Sequence, residues 1–163
     1  MNKTTFRTLI LAFFVAMISF NSNAQGLKIK SPYPDLKVKV ISCEEAGSAV
    51  LVTLLLENIG SKDVEFSVCG GYDHYSVAID DEGNQISNHN ILVKIGNDHY
   101  NQIFSMGKLY SESPVKITYK ISDVPEYAKS FSKLNLYFNS NDWGVYGEHI
   151  KISNIPIYRE GDE

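Results

Sequence analysis

Two segments of the form G-x-D-H-Y are the feature of this sequence most suited to binding chemistry. They run over Gly71–Tyr75 and Gly96–Tyr100. Each places a carboxylate, an imidazole and a phenol within three residues, and these groups donate and accept hydrogen bonds and offer aromatic faces. The single tryptophan, Trp143, and nearby Tyr146 add further aromatic surface. The combination favours a surface that binds a ligand or a partner.

Histidines and acidic residues do not fall into a metal-binding motif. The four histidines, His74, His89, His99 and His149, lack His-x-x-x-His or Cys-His spacing. Oxygen-bearing side chains crowd the turn Asp80–Asn84, but without the D-x-D-x-D-G spacing of a dedicated calcium loop. Acids are also common in hairpin turns, so calcium is the less favoured interpretation of this turn. We predict no metal and no other cofactor.

The sequence contains no catalytic motif. It has neither the G-x-S-x-G of a nucleophile elbow nor the H-E-x-x-H of a metalloprotease. Paired carboxylates for glycoside cleavage need only meet in space, so they leave no signature in the sequence. We assign no catalytic residue and keep a small hydrolase or accessory enzyme acting on glycan or peptide as the alternative function.

Cys43 and Cys69 are the two cysteines of the chain, and they do not form a CxxC motif. Outside the cytoplasm an even pair favours a disulfide over free thiols. Both cysteines also close predicted strands at the same end of the molecule. We therefore predict a Cys43–Cys69 disulfide.

The N-terminal residues resemble a cleavable leader. Lys3 and Arg7 precede an apolar run over residues 9–20, and a polar stretch follows it up to Ala24. This order, with Ser22 and Ala24 as small residues before the cleavage position, is typical of a secretory signal peptide. The run is shorter than the roughly 20 residues that span a bilayer. We expect cleavage after Ala24 and a periplasmic or secreted product without a stable membrane anchor.

Charge argues against a nucleic-acid partner. Loss of Lys3 and Arg7 with the leader changes the formal net charge from −4 to −6. Such a surface repels a phosphate backbone, and no cluster of Lys and Arg offsets it locally.

Short strands must position all of these side chains, because apolar and polar residues alternate with period two along most of the chain. The predicted strands cover residues 36–43, 49–57, 64–68, 77–79, 91–95, 115–121, 134–138 and 150–157. Turn residues separate them, and no segment keeps a helical period. This pattern predicts an all-β protein, an antiparallel β-sandwich of about seven to eight strands.

If successive strands alternate in direction, the connections after odd-numbered strands lie at one end of the sandwich. This arrangement would gather the aromatic loop residues into one ligand-binding surface. The candidate site residues are Tyr72, His74, Tyr75, His99, Tyr100, Trp143 and Tyr146. The alternative is that these side chains cap the open end of the core with their polar tips in water.

Several stretches resemble uncharacterised secreted bacterial proteins with an immunoglobulin-like fold. They are the strand over residues 51–60, the turn over 79–84, the segment 115–129 and the closing strand over 150–157. The resemblance implies an immunoglobulin-like sandwich and brings no catalytic residue. We expect a leader over residues 1–24, a lead-in over 25–34, one sandwich domain over 35–159 and a tail over 160–163.

These observations favour a non-enzymatic binding or structural module outside the cytoplasm. Its partner would be an unknown protein or a glycan, because aromatic side chains among polar loops suit both. A third hypothesis is a subunit that completes its sheet with a strand of a partner, which an exposed edge strand allows.

Overall fold

The computed structural model describes residues 26–161, apart from the side chains of Val145 and Tyr146. The predicted leader, Met1–Ala24, lies outside the described residues. The described strands are β1 (Lys28–Lys30), β2 (Leu36–Ala46), β3 (Ala49–Asn58), β4 (Val64–Cys69), β5 (Val77–Asp80), β6 (Gln85–Ile86), β7 (Ile91–Ile95), β8 (Phe104–Leu109), β9 (Val115–Ser122), β10 (Ser130–Ser140) and β11 (Val145–Pro156). Two short 3₁₀ turns, Tyr72–His74 and Asn141–Trp143, complete the regular structure. Within residues 26–161, no helix has the length and apolarity needed to cross a membrane.

The strands form two antiparallel sheets. In the four-stranded sheet the order is β2-β3-β9-β7, and in the seven-stranded sheet it is β1-β11-β10-β4-β8, with β5 paired to β10 and β6 paired to β5. Immunoglobulin domains have strands A, B, E and D in one sheet and G, F and C in the other. Here β2, β3, β9 and β7 take the first set of places, and β11, β10 and the β4–β5 pair take the second. The predicted immunoglobulin-like sandwich is confirmed.

Alternation along the central strands builds the core between the sheets. On β3, Val52, Leu54 and Leu56 are fully buried, while the residues between them are partly exposed. On β10, Leu136 and Phe138 face the same core from the other sheet. Burying each such side chain stabilises the fold by roughly 1.5 to 3 kcal/mol relative to leaving it exposed.

One topological expectation was wrong. Strands β4 and β5 both pair with β10 in the same direction, since Val68 lies opposite Phe138 and Val77 lies opposite Asn135. They are two halves of one strand, and residues 70–76 form an excursion between them that does not reverse the chain. Because β5 continues in the direction of β4, each later predicted strand runs opposite to the direction that simple alternation would give it. The connections after β7 and β10 lie at the end opposite the β2–β3 hairpin.

Strand β8 lies between the predicted strands over residues 91–95 and 115–121, where the alternating pattern predicts no strand. This strand pairs with β4 along its whole length, from Cys69 opposite Phe104 to Val64 opposite Leu109. Its sequence, FSMGKL, has a glycine and no β-branched residue. Pairing with β4 rather than local preference therefore forms the strand.

The predicted Cys43–Cys69 disulfide is absent, and both cysteines are free and buried. Cys43 lies on the four-stranded sheet opposite Val52. Cys69 ends β4 in the other sheet, and its Sγ lies 3.6 Å from the carbonyl oxygen of Gln102. The prediction failed because Cys69 precedes the mid-sheet excursion rather than a connection at the hairpin end. Burial raises the pKa of Cys43 to about 12 and that of Cys69 to about 11.

We expect native, unreduced protein to react very slowly with a thiol reagent such as DTNB at neutral pH. Enclosed thiols with raised pKa values present little thiolate to the reagent. Unfolding in guanidinium chloride without reductant should release both thiols to rapid reaction. Recovery of no thiol from the unfolded, unreduced protein would contradict the structure.

Candidate functional site

The structure divides the predicted site residues among three places. Tyr72, His74 and Tyr75 lie in the excursion between β4 and β5. His99 and Tyr100 lie in the connection that follows β7, and Trp143 lies in the turn between β10 and β11. The side chain of Tyr146 is outside the described part of the structure. One pole that gathers all seven residues is therefore not formed, because the chain does not reverse at the excursion.

The excursion is held close to the sandwich at its base. Gly71 donates its backbone N–H to the carbonyl oxygen of Ile91 at 2.8 Å, and a Cβ at Gly71 would clash with the backbone of Asn88. Its tip has an unusual backbone, because Asp73 and His74 have φ angles of 47° and 63°. Such left-handed residues are uncommon outside glycine and concentrate at functional sites.

Four side chains pack together on the outer face of the seven-stranded sheet, and we call them the aromatic surface: Tyr75, Phe104, Tyr137 and His149. Ring centroids lie 4.8 Å apart for Tyr75 and Tyr137, 5.2 Å for Tyr75 and Phe104, and 5.8 Å for Tyr137 and His149. Nε2 of His149 lies 2.9 Å from the carbonyl oxygen of Tyr75. The excursion thus crosses β10 and is fixed onto β11.

Sequence reasoning predicted Tyr75 as a site residue and missed Phe104, Tyr137 and His149. Tyr137 alternates with Leu136 and Phe138, so the pattern along β10 indicates that it faces away from the core. Which other residues it meets depends on the strand order β11-β10-β4-β8, and the sequence pattern does not contain that order.

Beside the aromatic surface, the seven-stranded sheet ends at β8. Ile103, which precedes the strand, is 50% exposed, and Phe104 and Met106 on it are 42% and 78% exposed. We call Ile103, Phe104 and Met106 the β8 edge. At the tip of the excursion Tyr72 is 49% exposed.

Trp143 packs on the core at the end opposite the β2–β3 hairpin. Its ring centroid lies 4.9 Å from the ring centroid of Tyr33 and 6.2 Å from that of Phe138. Tyr33 is almost fully buried and Phe138 is fully buried. These contacts favour the capping interpretation of Trp143.

Trp143 also forms one wall of a cavity of about 340 Å³. The lining residues are Asp35, Asn58, Gly60, Ser61, Lys62, Asp63, Val64, Asp142 and Trp143. The cavity therefore combines one indole with charged and polar groups from three parts of the chain. We call it the Trp143 cavity.

The third group, His99 and Tyr100, follows β7 at the same end of the sandwich as Trp143, but neither residue lines the Trp143 cavity. Nζ of Lys94 lies 4.8 Å from the ring centroid of Tyr100, a cation–π contact, and His99 is exposed. Asn101 then exchanges two backbone hydrogen bonds of 2.8 Å with Val93. These contacts fold the second G-x-D-H-Y segment back onto β7.

Carboxylates in the turn Asp80–Asn84 build the hairpin. Oδ1 of the buried Asp80 accepts backbone N–H groups of Glu82 at 3.0 Å and of Asn84 at 2.7 Å, and its Oδ2 accepts from the Asn84 side chain at 2.8 Å. Burial favours the neutral acid, but the hydrogen bonds from Asn84, Glu82 and Gly83 outweigh it and lower the pKa of Asp80. Both oxygens of Asp81 lie 3.2 Å from the backbone nitrogen of Lys129.

Across residues 26–161 there is no group of three or more His, Cys, Asp or Glu side chains that could hold a metal ion.

Comparisons with known proteins identify no relative by sequence. No protein-family model matches the chain, and no curated protein matches it significantly. Structural neighbours are distant. The N-terminal domain of PorA has a TM-score of 0.43 at 10% identity, covering 77% of this chain and 98% of that domain. A PapD-like domain of human CEP192 has a TM-score of 0.38 at 15% identity, covering 80% and 87%.

A family 123 glycoside hydrolase from Clostridium perfringens has a TM-score of 0.43 at 9% identity. The match covers 76% of this chain, which spans only 27% of the hydrolase. At these scores the similarities carry no argument about function.

Replacing Asp80 by Asn should lower the free energy of unfolding at pH 7 by about 1 to 3 kcal/mol, because the backbone N–H groups of Glu82 and Asn84 lose a charged, buried acceptor. The folded pKa lies below the unfolded one, so this stabilisation is present above the unfolded pKa and is lost as pH falls through the folded pKa. Denaturant unfolding should show that the difference in unfolding free energy between the wild-type protein and Asp80→Asn becomes smaller as the pH falls below 7. Glu82→Gln in the same turn is the control and should change little.

Replacing Trp143 by Ala should lower the free energy of unfolding by about 2 to 3 kcal/mol, somewhat less than truncation of a fully buried Trp. Ile59→Ala, at an exposed position at the same end, is the matched control. Denaturant midpoints of the two variants test this directly. Equal midpoints would contradict the capping role of Trp143.

Proposed function

We propose that this chain is a non-enzymatic binding module that acts outside the cytoplasm and binds a partner protein through the β8 edge. The main observation behind this proposal is the edge strand β8. It is the last strand of its sheet and exposes apolar side chains at alternate positions, Phe104 and Met106. The leader-like N-terminus supports the location. A β-strand of the partner, with apolar residues at every second position, fits such an edge.

An unprotected apolar edge is unusual in a monomer. Edge strands expose unpaired N–H and C=O groups, and proteins normally protect them with charge, bulges or covering loops. Large apolar patches that stay exposed on the surface of a folded protein often mark interaction sites. Lys108 is the only charged residue on β8, and its Nζ pairs with Asp63 at 3.3 Å.

Other edges of the described sheets are better protected. On β1, Lys28 and Lys30 place charge at the edge. Backbone hydrogen bonds to Asn101 cover β7 at Val93, and backbone hydrogen bonds to Tyr158 cover the hairpin end of β2. The β8 edge is the one that combines exposed apolar side chains with little charge.

The aromatic surface holds Phe104, the first residue of β8, in place. Phe104 is held by Tyr75 and by Tyr137, whose ring centroids are 5.2 and 5.6 Å away. Tyr75 is in turn fixed to His149. A partner strand therefore meets a preformed surface, which reduces the conformational entropy lost on binding.

The alternative function, a hydrolase with paired carboxylates, finds less support. The Trp143 cavity contains three aspartates, but two have structural roles: Oδ2 of Asp142 accepts the N–H of Glu65 at 2.8 Å, and Oδ1 of Asp63 accepts that of Ser111 at 3.2 Å. Carboxylates that anchor loops in this way are poorly placed to transfer protons.

Photo-crosslinking from a benzoylphenylalanine at position 106, in the cells that make the protein, should capture the partner. Position 41, where Ile41 is exposed on another edge strand, is the matched control. With the purified partner, Met106→Lys should weaken binding by about tenfold or more, and Ile41→Lys should not. Because Met106 is so exposed, its replacement should leave the unfolding midpoint unchanged.

Hydrogen exchange separates strand addition from simple surface contact. Addition of a partner strand should protect β8 amides that face away from β4. Equal crosslinking from positions 41 and 106, or unchanged exchange along β8 in the complex, would contradict the proposal. Light scattering of the protein alone shows whether the partner is a second copy of the chain.

A further inference from the structure

The Trp143 cavity is a second candidate site and is independent of the β8 edge. It lies at the end of the sandwich where β2 begins and β3 ends. Its volume of about 340 Å³ is at the small end of the roughly 300–1,000 Å³ of small-molecule sites. A cavity of this size suits one ring-sized ligand rather than an extended chain.

The floor of the cavity is organised before any ligand arrives. Asn58 is fully buried, and its Nδ2 donates to the carbonyl oxygen of Lys62 at 2.7 Å while its Oδ1 accepts the N–H of Gly60 at 3.0 Å. From outside the loop, Oγ of Ser111 donates to the carbonyl oxygen of Gly60 at 2.6 Å. These bonds hold residues 58–62 in one conformation.

The wall that carries Trp143 is also anchored. Asp142 accepts the N–H of Glu65, and Oγ of Ser140 donates to the carbonyl oxygen of Glu65 at 2.7 Å. The indole rests on Tyr33 and Phe138. The turn between β10 and β11 therefore cannot move away from β4 without losing both polar and aromatic contacts.

The side chains that remain available to a ligand include both hydrogen-bond donors and hydrogen-bond acceptors. Asp35, Ser61 and Lys62 are exposed at the cavity. In the described part of the chain, neither Asp35 nor Lys62 forms an ion pair. A carboxylate accepts hydrogen bonds, an ammonium donates them and a hydroxyl does both, while the indole offers an apolar wall.

We propose that the Trp143 cavity binds a neutral sugar ring, either a monosaccharide or the terminal residue of a glycan. Vicinal hydroxyls satisfy the mixed donors and acceptors, and the C–H face of the ring lies against the indole. Three aspartates against one lysine disfavour an anionic ligand. Because this site lies on other residues than the β8 edge, failure of either proposal leaves the other standing.

A single tryptophan makes the test direct, because the one indole N–H signal in a ¹H–¹⁵N spectrum, and the indole fluorescence, both report on this cavity. The probes are glucose, galactose, mannose and N-acetylglucosamine, with glucuronate and glucosamine as charged counterparts. At least one neutral sugar should shift the indole signal saturably. Glucuronate should bind at least about tenfold more weakly than that sugar, a difference of about 1.4 kcal/mol.

Variants then assign the site. Asp35→Asn removes an exposed cavity carboxylate and should weaken sugar binding by about tenfold. Asp98→Asn, an exposed acid outside the cavity, should leave binding unchanged. The proposal is overturned if no neutral sugar shifts the indole signal, if glucosamine binds better than every neutral sugar, or if Asp35→Asn and Asp98→Asn behave alike.

Discussion

Strand β10 pairs with three other strands, and both candidate sites depend on those pairings. Its inward residues, including Leu136 and Phe138, join the core. Its outward Tyr137 holds the excursion through Tyr75. Its first half pairs with β5 and its last residues pair with β4. The excursion must therefore leave and re-enter along one strand, which places it on the face of the sheet rather than at an end.

The aromatic residues on the outer face of the seven-stranded sheet differ in burial. Tyr137 is almost completely buried beneath the excursion, whereas Phe104 and Met106 extend the same face to the open edge of the sheet. Rings packed edge to face contribute roughly 0.5 to 1.5 kcal/mol per pair beyond their burial. Trp143 is intermediate, because one set of its contacts covers the core and the rest of its surface borders a cavity.

Polar residues that suggest chemistry in the sequence mostly maintain the fold. Asp80 satisfies the backbone of its own turn, and the buried thiols of Cys43 and Cys69 have raised pKa values. Unpaired backbone N–H groups in a tight turn cost free energy. Pairing these groups is therefore enough to explain a carboxylate at this position, without any ligand. A cluster of acids or a pair of cysteines is accordingly weak evidence for function until the partners of each group are known.

The sequence by itself determined the fold class and most of the strands, because period-two alternation follows directly from which face of a strand is buried. It also predicted Tyr75 and Trp143 as residues of interest. Only the tertiary structure decided which of these residues are neighbours. The direction of β5, the pairing that makes β8 a strand and the separation of Cys43 from Cys69 all depend on contacts between distant segments. A local pattern records which face of a strand is buried, but it carries no information about which strand lies beside it.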